Sequence, residues 1–549
     1  MHFYMKAFRI LLAAAVLCIA SVSCSKSVAE QMKMAENVKV SCDPEVLAVV
    51  GDKVPATITV TYPKGYFNKT AIMTVTPVLV YEGGEEAAEP VTYQGEKVKD
   101  NHKVAPYVGG TMSVKVEFPY RKGMESSYLE LRPVIFYGKR TYDVPARKVA
   151  DGCNTTCLLA DTKGVYVYKA DGYRTVLDKT AEGQIMYEVN SAEVRKSQMV
   201  GAVNSFQEAV KAYEADERAT VKGTRIVAYA SPEGGAEYNS KLSDKRAESA
   251  GKAWSKVSGD QGVDVDLRSI GQDWEGFQAA VAASSLEDKE LILRVLSMYS
   301  DPAVRESEIR NMSQVFTEMK TKVFPALRRA RLIADVEYKN YTDEELERIA
   351  SEQLYLLDES ALMHLAANTK DSDRKALLYK IAAESFDSDA ARYNGVLVAL
   401  DNDDALLAAE RAKDIKNQQD ADILNALGVI ALRKGDSEAA AKYFKQSGTP
   451  EAQQNMAILD IQKGDYKAAA AKAEGVNKAV ASILSEDYNA AEKAISGQTD
   501  ARSEYLRAII AARRNSTAAA KKHLDEAYKK DASLKERAAK DVEFAAFEN

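Results

Sequence analysis

The chain has 549 residues, 46% of them hydrophobic and 28% charged, with a formal net charge of −7. That length implies about three or four domains, and so apolar a chain is not mainly disordered. The acidic balance and the lack of any sustained basic run exclude nucleic acid as an expected partner.

The first 24 residues read as an export signal. Lys6 and Arg9 precede an apolar stretch at 10–20, and the small residues Ser21 and Ser23 precede Cys24. The stretch is too short for a transmembrane helix. Cys24 resembles the lipidated cysteine of a bacterial lipoprotein, in which each buried acyl CH₂ contributes ~0.8 kcal/mol of membrane anchoring. Ser21 stands where lipoproteins favour Leu, and ordinary cleavage after Ser23 is the alternative. Residues 25–37 form a polar tether. It lacks the acidic cluster linked to surface export in Bacteroidetes-type envelope lipoproteins. By that resemblance the chain is expected at the outer membrane, lipid-anchored and facing the periplasm. Cys42, Cys153 and Cys157 leave one disulfide open in an oxidising compartment. No metal site is expected, because no histidine lies near Cys153 in sequence.

Residues 38–150 have the texture of a β-sandwich. Lys39-Val40, residues 56–60 and residues 112–116 alternate or run β-branched, and Pro63-Lys64-Gly65, Gly83-Gly84 and Gly109-Gly110 mark turns. Residues 151–183 form a connecting segment with strands of its own, notably Gly164-Val165-Tyr166-Val167-Tyr168. From about residue 184 strand and helix alternate. Strands are expected at 185–189, 225–230, from 263 and at 331–336, with helices at 203–213 and 239–254 and a helical insertion at about 276–323. This βαβαβ order predicts a central α/β sandwich over 184–340. Residues 341–549 are rich in Ala, Lys and Glu and read as an all-α solenoid. Lys434-Gly435-Asp436, Lys463-Gly464-Asp465 and Ser485-Glu486-Asp487 each precede an alanine (Ala440, Ala469, Ala491) four residues past the aspartate.

The helix at 239–254 carries the main candidate site. On a helical wheel Leu242, Ala250, Ala253 and Trp254 share an apolar arc, and Lys241, Asp244, Lys245, Glu248 and Lys252 lie opposite. Arg246 falls inside the apolar arc, on one face with Asn239 and Ser243. A buried guanidinium without a partner costs several kcal/mol, so Arg246 is expected to meet an anion, either an internal carboxylate or a ligand's. Residues 239–247 (Asn-Ser-Lys-Leu-Ser-Asp-Lys-Arg-Ala) match the N-x-x-L-S-x-x-R-A signature and resemble the OmpA-like peptidoglycan-binding domains. Residues 227–234 sit where that family has its strand and ligand loop, and Leu327-Arg328-Arg329-Ala330 resembles the run before its last strand. The resemblance implies that Arg246 pairs with the diaminopimelate carboxylate of a peptidoglycan stem peptide, a contact suited to a guanidinium fork. The family's loop aspartate is replaced by Ser231, leaving Glu233 or Glu237 to supply the missing anion.

The C-terminal region resembles tetratricopeptide repeats. Leu427, Gly428, Ala431, Ala440 and Phe444 keep that family's spacing, and Ala508, Ala511, Ala520, Leu524 and Ala527 form a weaker unit. Stacked hairpins imply a concave surface suited to peptides or partner proteins. No nucleophile elbow, phosphate loop or zinc-protease motif occurs, and His102, His364 and His523 are isolated, so neither an enzyme nor a cofactor is expected. Two functions follow. One is a lipoprotein that tethers the outer membrane to peptidoglycan and recruits unknown envelope proteins through its repeats. The other is an accessory of an envelope or secretion complex whose OmpA-like domain no longer holds the wall.

Overall fold

A computed structural model describes residues 37–259 and 265–547. The signal sequence, Cys24 and nearly all of the tether lie outside the described residues. The chain divides into two compact units. One takes the chain up to Lys169 and again from Asp387; the other takes Ala170–Phe386. This differs from the sequence-based division, which separated residues 38–150 from 341–549 and placed 341–386 with the repeats.

The first unit begins with a β-sandwich. Its strands are β1 (Lys39–Asp43), β2 (Val46–Ala48), β3 (Lys53–Tyr62), β4 (Ala71–Tyr81), β5 (Gly84–Ala87), β6 (Val91–Gly95), β7 (Lys103–Ala105), β8 (Gly110–Pro119), β9 (Ser127–Tyr137), β10 (Arg140–Asp143) and β11 (Arg147–Asn154). One sheet runs β1-β3-β8; the other runs β2-β11-β9-β4-β6-β7, with β5 on β4 and β10 on β9. The long central strands β4 and β9 carry Pro77 and Pro133, residues usually confined to strand edges and bulges. Each sits where its strand changes outer partner. β4 pairs with β6 as far as Val75 and with β5 from Val78. β9 pairs with β11 up to Leu131 and with β10 from Val134. A missing N–H at such a junction breaks no ladder on that side.

The same unit continues as five αα-hairpins. The first helices are Asp389–Asp401, Ala421–Arg433, Pro450–Lys463, Gly475–Leu484 and Ala501–Arg513; their returns are Ala405–Arg411, Ser437–Ser447, Tyr466–Lys472, Tyr488–Ala494 and Thr517–Lys530. Every turn is built alike. A left-handed residue (Asp403, Gly435, Gly464, Glu486 or Asn515) ends the first helix. The next residue starts the second, and the aspartates at that position accept an N–H three residues on (Asp404, Asp436, Asp465, Asp487). Four residues past it stands a fully buried alanine: Ala408, Ala440, Ala469, Ala491 and Ala520 are 0% exposed. Sandwich and repeats share a core, in which Leu47, Ile58, Phe118 and Leu129 cluster with Ala457, Ile461, Ala469 and Ala481. Cys42, Cys153 and Cys157 are buried free thiols, so the disulfide left open by the sequence is not formed. Burial pushes their pKa values up to about 11, 12 and 11.

In the second unit β12 (Val176–Met186), β13 (Ala219–Ala230), β14 (Val265–Gln272) and β15 (Arg329–Lys339) form a sheet ordered β12-β15-β13-β14, antiparallel except for the parallel β13–β14 pair. Helices Asn204–Glu214 and Ala236–Ser258 contribute Phe206 and Trp254 to the core on this sheet. The insertion is four helices between Trp274 and Lys322, with its own core around Phe277, Ile292 and Phe324. Three helices (Asp343–Gln353, Glu359–Asn368, Ser372–Phe386) follow β15. Among the described residues no helix is long and apolar enough to cross a membrane.

Candidate functional site

Helix Ala236–Ser258 buries the face that the wheel assigns to it: Asn239, Leu242, Ser243, Arg246, Ala250, Ala253 and Trp254 are all buried. Arg246 is 1% exposed. Among the described residues its fork meets no carboxylate. Nε donates to the Ser191 carbonyl (3.0 Å), Nη1 to Tyr229 (2.9 Å) and Nη2 to Glu188 (3.1 Å), and the guanidinium lies 5.0 Å from the centroid of the Tyr187 ring. The expected anion is thus replaced by three backbone carbonyls. Two of them exist because the chain leaves the sheet after Met186, three residues before the expected end of that strand, and wraps over the helix. Without a formal counter-charge, burial lowers the guanidinium pKa to about 10.

The loop that precedes this helix is closed. Asn239 Nδ2 donates to the carbonyls of Ser231 (3.0 Å) and Gly234 (2.6 Å). Ser231 Oγ donates to Glu233 Oε1 (2.8 Å), and Glu233 pairs with the buried Arg328 at 2.8 Å. From the insertion, Arg310 Nη2 donates to the Glu233 carbonyl at 2.8 Å. Ser243 Oγ accepts the Gly271 N–H (3.0 Å) and donates to the Ser240 carbonyl (2.8 Å). Ser231, Glu233 and Asn239 therefore come together, and Arg246 sits behind them. Glu237 does not join: it pairs with Lys241 on the outside of the helix, its side chain 87% exposed.

A second constellation lies in the repeat unit, and the sequence analysis did not find it. Residues 161–169, expected to contain a strand, pair with no strand among the described residues. They run extended along the first helices of four hairpins, and side-chain amides take the place of a neighbouring strand. Asn477 Oδ1 accepts the Asp161 N–H (2.6 Å) and its Nδ2 donates to the Asp161 carbonyl (2.8 Å). Asn455 does the same for Val165 (2.7 and 2.8 Å), and Asn394 for Lys169 (2.8 and 3.0 Å). Asn425 adds a bond to the Val165 carbonyl (2.9 Å) and accepts one from Asn455 (2.9 Å). Tyr393 donates to the Val167 carbonyl (3.0 Å) and Arg433 to that of Lys163 (2.8 Å).

The segment's side chains are held too. Tyr166 and Tyr168 both donate to Asp401 (2.7 and 2.5 Å). Lys169 pairs with Asp420 (3.1 Å) and with Asp422. Gly164 has φ +84° and packs so tightly that a Cβ there would stand 2.9 Å from both Val429 methyls. Asparagine is a poor helix former, and Asn394, Asn425 and Asn455 interrupt apolar helix faces. Their recurrence nine or ten residues before the left-handed turns was the readable signal.

No family model matches this chain, and no curated protein does. Among solved structures it is similar to a tetratricopeptide repeat protein from Parabacteroides merdae (14% identity, 41% of this chain and 93% of that chain, TM-score 0.28). It is also similar to YrrB, described as a TPR protein with an unusual peptide-binding site (15%, 35% and 94%, TM-score 0.21), and to yeast Tom70 (11%, 63% and 78%, TM-score 0.28). With TM-scores this low, the repeat architecture rests on the hairpins themselves, whose five turns share one construction.

Proposed function

We propose that this chain is a protein-interaction scaffold of the bacterial envelope that works through its helical repeats. One observation carries this reading: the first helices of the hairpins already grip an extended polypeptide by its backbone, through paired amide bonds at Asn394, Asn455 and Asn477. Export through the first 24 residues and lipidation of Cys24 would bring the scaffold to the periplasmic face of the outer membrane. Detergent-solubilised full-length protein is expected to co-purify with other envelope proteins, and Cys24→Ala is expected to lose incorporation of labelled palmitate.

The accessory role is favoured over the wall tether. An OmpA-like reading of 184–340 requires Arg246 to reach a diaminopimelate carboxylate. Here all three nitrogens of its fork bond backbone carbonyls, and Arg310 and Arg328 close the loop in front. Co-sedimentation with purified sacculi decides between the two. The accessory reading expects no retention of wild type; retention that is lost in Arg246→Lys, a variant that keeps the charge but not the fork, restores the tether.

A further inference from the structure

The repeats hold their occupant by two kinds of contact. Backbone bonds from the asparagines read an extended chain whatever its sequence. Side-chain contacts then select two tyrosines and a lysine at positions n, n+2 and n+3: Asp401 takes both hydroxyls, and Asp420 with Asp422 takes the ammonium. Three of the asparagines are 0–2% exposed with the segment in place. Buried amides are left unpaired only at a cost, so the groove is built for an occupied state. A second extended occupant would restore the same amide bonds, so exchange of one for the other strands no polar group.

We propose that the groove along the first helices of the hairpins is a recognition site for extended peptides of the pattern hydroxyl-aromatic, any residue, hydroxyl-aromatic, basic, and that residues 161–169 close it in cis. This rests on the scaffold reading and specifies its partner: a protein enters by presenting such a segment in place of residues 161–169. Because that segment is covalently attached at both ends, its effective concentration is on the order of mM, and it outcompetes a free peptide of equal contacts.

The test uses the full chain and a fluorescent synthetic peptide of residues 160–170. A release variant, Gly164→Ala with Val165→Pro, forces a Cβ against Val429 and removes the N–H that Asn455 accepts. It is expected to bind the peptide saturably, at least about tenfold tighter than wild type does. Adding Asn455→Ala and Asn425→Ala, or replacing both peptide tyrosines by alanine, is expected to abolish that gain. A release variant with native circular dichroism that does not bind the peptide overturns the proposal, as does a wild type that binds it equally well. Hydrogen exchange on wild type covers the case in which the release variant does not fold. Peptide in about tenfold excess over the attached segment's effective concentration is expected to lower protection of the Val165 and Lys169 amides, and unchanged protection overturns the proposal. Envelope partners that still co-purify when the peptide arms fail leave the scaffold reading standing; loss of those partners alone counts against the scaffold and not against the groove.

Discussion

At the scale of single residues, His364 and Arg246 show opposite ways of housing a cation. His364 in helix Glu359–Asn368 lies between Asp171 and Asp343, each 2.9 Å from one ring nitrogen, and stacks on Tyr173 with centroids 4.6 Å apart. Burial alone would lower its pKa, but the two carboxylates outweigh that and raise it. A raised folded-state pKa gives stability that is complete below the ordinary histidine value of ~6.5 and is lost as pH climbs through the folded value. The denaturant midpoint of the wild type is therefore expected to fall between about pH 6 and about pH 8 by more than that of His364→Gln. Equal slopes would assign the pH dependence elsewhere. The sequence showed His364 only as an isolated histidine, because its partners are 193 and 21 residues away. Arg246 was legible as a cation on an apolar face; its carbonyl partners were not, since backbone acceptors carry no side-chain signature.

At the scale of elements, legibility followed chemistry. Three of the five repeat turns were readable, two from Gly-Asp and one from Glu-Asp before an alanine cluster. The other two use Asp403 and Asn515 as the left-handed residue, again without glycine. All three alternating strands noticed in the N-terminal region fall on one sheet, β1-β3-β8. The opposite sheet stayed hidden because Pro77 and Pro133 interrupt its two longest strands. The valine and tyrosine run at 165–168 was β-like for a sound reason, since it is extended; its partners are side chains, which no strand pattern announces. Packing within a hairpin gives a direct test. A Cβ on Gly428 would meet the Phe444 ring at 2.4 Å. Gly428→Ala is expected to cost about 1–3 kcal/mol of unfolding free energy, because a buried ring gives way only by leaving its rotamer. A neutral or stabilising result in chemical denaturation would contradict the packing.

At the scale of the whole molecule, sandwich and repeats are predicted to unfold as one body. Glu543 ties them: it accepts from Asn154 Nδ2 (2.6 Å) and Thr156 Oγ1 (3.0 Å) on the sandwich side and pairs with Arg513 of the last hairpin at 2.6 Å. Its side chain is 4% exposed. Glu543→Ala leaves the part-buried Arg513, its side chain 20% exposed, without its anion, and removing one partner of such a pair costs up to about 3–5 kcal/mol. Calorimetry is expected to show one transition for sandwich and repeats moving down together in that variant. A sandwich transition that stays in place would separate the two.

The path of the chain through the first unit has a further consequence. It departs at Lys169, whose N–H is bonded to Asn394 at 2.8 Å, and re-enters at Asp387, seven residues before that asparagine. The helix begins at Asp389, and its five residues of rise to Asn394 span ~8 Å, so exit and entry open close together, as tolerated insertions require. Residues 170–386 are thus a cassette in a host that closes without them. Replacing them with a short Gly/Ser linker is expected to leave a soluble protein with native helix content and residues 161–169 still protected from hydrogen exchange. By the same geometry a lineage could exchange one cassette for another while the host kept its grip on its own chain.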